Sequence, residues 1–118
     1  MLGKAARPAF RKKPIGSVPS IEQYARAAID RDWVGIDPDL RTKLSAYMIE
    51  PVPAQIELFG TLETTCIVAR ISPHVVFFDE IEEDFGTAVE KDGQLFEAAS
   101  YGNIALALRE LERAAGLA

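Results

Sequence analysis

Asp79, Glu80, Glu82, Glu83 and Asp84 place five carboxylates within six positions, directly after the apolar run Val75, Val76, Phe77 and Phe78. Three kinds of chemistry use such a group. It can be a solvated turn, a hard-cation site, or a docking surface for a basic partner. Carboxylates this close repel one another, and only solvent, counter-ions or a cationic partner relieves that repulsion. The spacing lacks the D-x-D-x-D-G pattern of an EF-hand loop, so a calcium site of that type is not indicated. A divalent-metal enzyme using residues 79–84 stays open as an alternative.

Nucleophilic chemistry has less to build on. His74 opens the same strand after Pro73, with no Ser-His or Cys-His arrangement beside it. Cys66 lies inside "TTCIVA", where a core thiol is expected. One Cys and one His exclude a Cys/His zinc site built from this chain alone. No glycine-rich phosphate loop and no G-x-S-x-G elbow occurs. Catalysis is not expected, and neither is a cofactor.

Charge points toward partners. The net charge is −5, but residues 1–13 carry five basic side chains (Lys4, Arg7, Arg11, Lys12, Lys13) and no acidic one. Without those five, eight basic residues face eighteen acidic ones, a body charge of −10. Such a body repels phosphate backbones and attracts basic proteins. The arm, "KAARPAFRKKP", could instead lie on an acidic surface or bind nucleic acid, or be a disordered tail. No apolar run is long enough to span a membrane or form a signal-peptide core, and the lone cysteine suits a reducing cytosol, so a cytoplasmic protein is expected.

The elements that must position these groups follow from periodicity. Pro8, Pro14, Pro19, Gly3 and Gly16 argue for an extended arm over 1–19, with a single α+β domain over 20–118. Ser20 reads as an N-cap, and Ile21, Tyr24, Ala25, Ala28 and Ile29 keep helical spacing. "GIDPDL" restarts a helix with Leu40, Leu44, Tyr47 and Met48 on its buried stripe, and "EPVP" ends it. From about residue 54 the period becomes that of strands: "AQIELFG", "TTCIVARIS", "HVVFFDEI", "GTAVE" and "QLFEAA", with Asp92-Gly93 as a hairpin turn. Alternation sets Val75, Phe77, Asp79 and Ile81 on one face, and the chain turns near Glu83-Asp84. Asn103 caps a last helix bearing Ile104, Ala107, Leu108 and Leu111. The expected fold is two N-terminal helices, an antiparallel meander sheet of four to five strands, and a C-terminal helix packed on one face. Trp33 and Tyr101 read first as core lids.

The run "VVFFDEIEEDFGTAVEKDGQLFEAASYGNIALALREL" resembles the C-terminal half of small immunity proteins from bacterial contact-dependent growth inhibition and related polymorphic toxin systems. There a hydrophobic strand enters an acidic turn, followed by a glycine-containing hairpin and a leucine-rich helix. Phe77, Asp79, Glu80, Glu82, Glu83, Phe85, Gly93, Leu106 and Leu108 stand in those places, over about residues 75–111. The resemblance implies a non-catalytic inhibitor that binds a cognate toxin domain, often a nuclease. Its partner-binding residues would be Asp79, Glu80, Glu82, Glu83 and Asp84, with Phe85 and Tyr101 as aromatic anchors. The competing expectations are an adaptor or structural subunit of a homo-oligomer, a nucleic-acid adaptor acting through the arm, and the metal-dependent enzyme.

Overall fold

A computed structural model describes residues 20–117; the arm lies outside the described residues. Ser20 closes a capping box with Gln23: its hydroxyl accepts from the Gln23 N–H at 3.1 Å and its own N–H donates to Gln23 Oε1 at 2.8 Å. Helix α1 then runs Ile21–Trp33. Asp37 accepts from the Asp39 and Leu40 N–H groups, Pro38 takes the first turn, and α2 spans Pro38–Ser45. This helix ends before Tyr47 and Met48, which sequence periodicity had assigned to its stripe. Met48 instead opens the first strand, and "EPVP" lies within it.

The strands are β1 Met48–Leu58, β2 Thr61–Ile71, β3 His74–Asp79, β4 Asp84–Lys91 and β5 Gln94–Gly102, followed by helix α3 Ile104–Ala114. Each neighbouring pair in sequence is antiparallel. The sheet is not the open meander expected from the sequence. It closes on itself as a five-stranded barrel. An odd number of alternating strands makes the first and last run the same way, so β1 and β5 meet in parallel. That seam holds only Gln55 with Gln94 and Ile56 with Leu95.

Closure follows from the central strands. Thr65 to Ala69 and Val75 to Phe78 are buried without a break, so both faces of β2 and β3 require cover. Helices supply one side: Ala25, Ala28, Leu44, Ile104, Leu108 and Leu111 pack on Cys66, Val68, Val76, Phe78 and Phe85. Curling the sheet supplies the other, enclosing Ala54, Ile56, Ile67, Val75, Phe77, Ala88 and Leu95. Each fully buried large side chain contributes about 1.5–3 kcal/mol, so leaving the inner face wet would forfeit much of the core. Register shifts between Met48 and Val52, between Ile67 and Ala69, and on β4 opposite β5 mark where strands bend. Pro51 and Pro53 fall where β1 has no β5 partner, and there a missing N–H interrupts no seam bond.

No helix among the described residues is long and apolar enough to cross a membrane. One glycine controls the barrel interior. A Cβ on Gly86 would lie 2.8 Å from Phe77 Cζ and closer still to the Ala99 carbonyl oxygen. The Phe77 ring therefore lies directly over the Gly86 backbone. Gly86→Ala should lower stability by about 1–3 kcal/mol, measured as a fall in the urea midpoint at unchanged slope. An unaltered midpoint would mean that Phe77 and β5 yield without cost.

Candidate functional site

The acidic turn is built by backbone geometry first. Asp79 and Asp84 face each other as the last register pair of β3 and β4, leaving 80–83 as the loop. The turn thus begins earlier than the Glu83-Asp84 position read from the sequence. Asp79 Oδ1 accepts from the Ile81 and Glu82 N–H groups at 3.0 and 3.2 Å, an Asx-type turn. Glu83 takes a left-handed φ of 57° and brings the chain back. Ile81, expected to continue the apolar face, is carried by this loop into solvent.

The fold divides the five carboxylates into two groups. On one side, the C-terminal end of α1 leans on the turn. Arg31 Nη2 donates to the Glu83 carbonyl oxygen at 3.1 Å, while Arg31 Nε pairs with Asp32 at 3.0 Å. Asp32 Oδ2 in turn accepts from the Ile104 N–H at 3.0 Å, so one carboxylate ties α1 to the start of α3. Asp84 sits beside this pair. Partial burial pushes its carboxyl above the ordinary range; Arg31 opposes that shift, and Asp32, Asp79 and Glu82 add to it.

On the other side, Asp79, Glu80 and Ile81 border a cavity of about 140 Å³ at one mouth of the barrel. Past Ile56 and Leu95 the seam strands have no further register pairs, and Glu97, at a φ of 56°, turns β5 away. The cavity occupies that split, walled by Ile56 and Leu58 of β1, Thr64 and Thr65 of β2, Phe77 of β3, and Ala98 to Ser100 of β5. Glu63 joins Asp79 and Glu80 as a third acid on its lining. Ser100 Oγ lies 3.5 Å from Asp79 Oδ2 and bridges the split to the turn. Thr65, buried, donates to the Phe78 carbonyl oxygen and belongs to the wall.

Several apolar side chains around this mouth are exposed. Phe59 is fully exposed at the tip of the β1–β2 hairpin, where Phe59 and Gly60 both take left-handed φ values, 53° and 81°. A bulky residue rarely adopts that conformation. Leu62 and Ile81 are exposed beside it along the chain segments that line the cavity. Tyr101, read first as a core lid, is 40% exposed, next to Ser100. Phe85 is placed differently from the expectation that made it an anchor. It is completely buried, its ring centroid 5.4 Å from that of Phe78, and it offers nothing to a partner. Phe59, Leu62 and Glu63 were absent from the sequence-based site. "LFGT" did carry a signal, because Gly60 two residues after Leu58 marks a tight hairpin that leaves Phe59 at its tip.

The other candidates lie elsewhere. His74 begins β3 at the opposite end from the acidic turn, paired with Ile71 and Val89. Cys66 is buried against α1, with Sγ 4.0 Å from the Ile21 carbonyl oxygen. Burial, reinforced by Glu22 and opposed by Arg26, pushes its thiol up to about 12. Among the described residues no three His, Cys, Asp or Glu side chains converge as a metal ion would require.

Two outcomes follow from these shifts. The folded state holds the Asp84 proton more tightly than the unfolded chain does, so ionised Asp84 opposes folding at neutral pH. That penalty fades as pH falls through the raised folded-state range and is gone below the ordinary carboxylate range. Asp84→Asn should therefore raise the urea midpoint at pH 7, with the difference from wild type shrinking on acidification. A constant difference across pH would show that Asp84 is not desolvated. Cys66 should react with DTNB only at the rate of global unfolding, because neither access nor thiolate is present in the folded protein. Fast stoichiometric labelling without denaturant would reveal β2 opening away from α1.

No protein-family model, curated protein or solved structure matches this chain.

Proposed function

We propose that this protein is a non-catalytic binding protein that captures and neutralises a basic partner, in the manner of the immunity proteins its acidic turn and C-terminal helix resemble. The single observation that carries this reading is the composition of the barrel mouth. Exposed Phe59, Leu62 and Ile81 stand beside a cavity bordered by Glu63, Asp79 and Glu80. Protein interfaces combine desolvated apolar anchors with a polar rim in this way. The charges speed encounter with a basic surface, and the apolar contacts slow dissociation. A toxin nuclease fits this description, since an enzyme that grips phosphate presents a basic face. The cytoplasm is where such a protein would meet its toxin.

The carboxylates play unequal parts in this reading. Asp79 is committed to the loop backbone and Asp84 sits against Arg31, whereas Glu80 and Glu82 lie on the turn without those duties. Glu80→Lys with Glu82→Lys and Glu83→Lys should leave stability within about 0.5 kcal/mol per site while abolishing capture. The measurement is a pull-down with salt wash and mass spectrometry from the native bacterium, wild type beside the triple variant. A stoichiometric basic partner, especially the C-terminal fragment of a very large secreted protein, retained by wild type alone is the expected result. Equal retention by the triple variant sinks the acidic-surface mechanism. Recovery of further copies of this chain alone would favour the homo-oligomer reading, for which exposed Phe59 and Leu62 would be the contacts; solution mass decides it.

A further inference from the structure

We infer that the cavity in the β1–β5 split is the seat of one arginine or lysine side chain of the protein partner, its methylene stem against the barrel wall and its cationic head at Glu80 and Glu63. This rests on the binding-protein reading above and names the contact by which that surface would hold its partner.

The cavity carries the inference, rather than the run of acids. Its volume of about 140 Å³ is close to that of apolar cavities of roughly 150 Å³ that admit benzene. A solvated groove between surface loops would have polar walls. Here Ile56, Leu58, Phe77 and Phe78 give an apolar wall, and the charged groups Glu63, Asp79 and Glu80 stand only on the β2 and turn sides. An occupant must therefore be apolar along its length and positively charged at one end. Lysine and arginine have that construction, since they bury their stems and keep the head group wet. A neutral aliphatic group would leave the acids of the border without a counter-charge, and an anion would be repelled.

The surroundings favour a side chain on a protein over a free small amine. Phe59 and Leu62 extend apolar surface outside the cavity, beyond the reach of anything small enough to enter it. The strand split also exposes backbone on both of its sides, because the parallel seam ends at Ile56 and Leu95. An approaching chain can follow that edge while one side chain enters. With no side chain on Gly86, the Phe77 ring of the cavity wall packs against the β4 backbone.

The test uses the whole protein and needs no partner. n-Butylguanidinium, which copies the arginine stem and head, is titrated against isotopically labelled protein and followed by amide chemical shifts. Saturable shifts confined to Thr64, Thr65, Glu80 and Ala98 to Ser100 are expected. Glu80→Gln should weaken binding roughly two- to fivefold. Glu50→Gln, which removes the same charge from the other end of β1, should leave it unchanged. Ala99→Leu should fill the cavity and remove the saturable shifts, and Glu80→Gln remains informative if that variant folds poorly. n-Butanol binding as tightly as the cation would overturn the inference, because the acids would then play no part. Loss of affinity in Glu50→Gln equal to that in Glu80→Gln would overturn it too, by showing diffuse attraction. Shifts at the same amides that grow with protein concentration alone would assign the cavity to a second copy instead. If the titration fails while partner capture still depends on Glu82 and Glu83, the seat is refuted and the binding reading stands. Success of the titration with no captured partner leaves a cation site on a protein whose partner reading has failed.

Discussion

Val75, Val76, Phe77 and Phe78 must be dry on both faces of their strand, and most of the molecule can be derived from that requirement. Three helices cover Val76 and Phe78. Among the described residues nothing outside the sheet covers Val75 and Phe77; the sheet rolls over them, and five alternating strands can join only by a parallel seam. Parallel pairing of strands with different bends does not extend far, and this one stops after two residue pairs. The split and its cavity are consequences of closing an odd-stranded meander on a core this small. Gly86 belongs to the same constraint, because the ring of Phe77 occupies the place of the missing side chain.

The acidic turn is an arrangement of unequal carboxylates rather than a uniform patch. Asp79 satisfies two backbone N–H groups that the loop would otherwise leave to solvent. Asp32, outside the run, joins α1 to α3 and holds Arg31 in place. Asp84 is the strained member, raised by burial and by neighbouring charge in spite of Arg31. Its position works against folding at neutral pH. The left-handed, fully exposed Phe59 has the same character. Both lie on segments that lead into the barrel mouth.

The proposed capture of a basic protein would draw on two contributions. Long-range attraction acts through the body charge, while the cavity and the apolar border act only on contact. On that proposal the two contributions reside in different residues, Glu82 and Glu83 for the first and Ile56, Leu58, Phe77 and Glu80 for the second. Selectivity among basic partners then depends on shape at the split, which net charge does not describe. Neither the buried, protonated thiol of Cys66 nor His74 at the far end of the barrel enters this account.

Local chemistry was legible in the chain. Ser20, Asp37 and Asn103 cap the helices where their side chains promised, Asp92-Gly93 makes its hairpin turn, and the carboxylates gather in a loop between strands. These depend on interactions spanning a few residues, which composition and spacing record. Closure of the sheet was signalled by unbroken apolar runs in β2 and β3, yet those runs say only that two faces need cover, not what covers them. Helices, a second sheet or the same sheet curled over would each satisfy the pattern. The end of α2 was misjudged because Tyr47 and Met48 continue a helical period while packing as the lead-in to a strand. The cavity, the burial of Phe85 and the grouping of Glu63 with Glu80 were beyond local reading, since each is set by which strands meet across the barrel. Residue types and their spacing decided which charged and apolar groups this protein carries; closing the barrel decided where they stand, because only that long-range pairing brings β1, β2, β3 and β5 to one mouth.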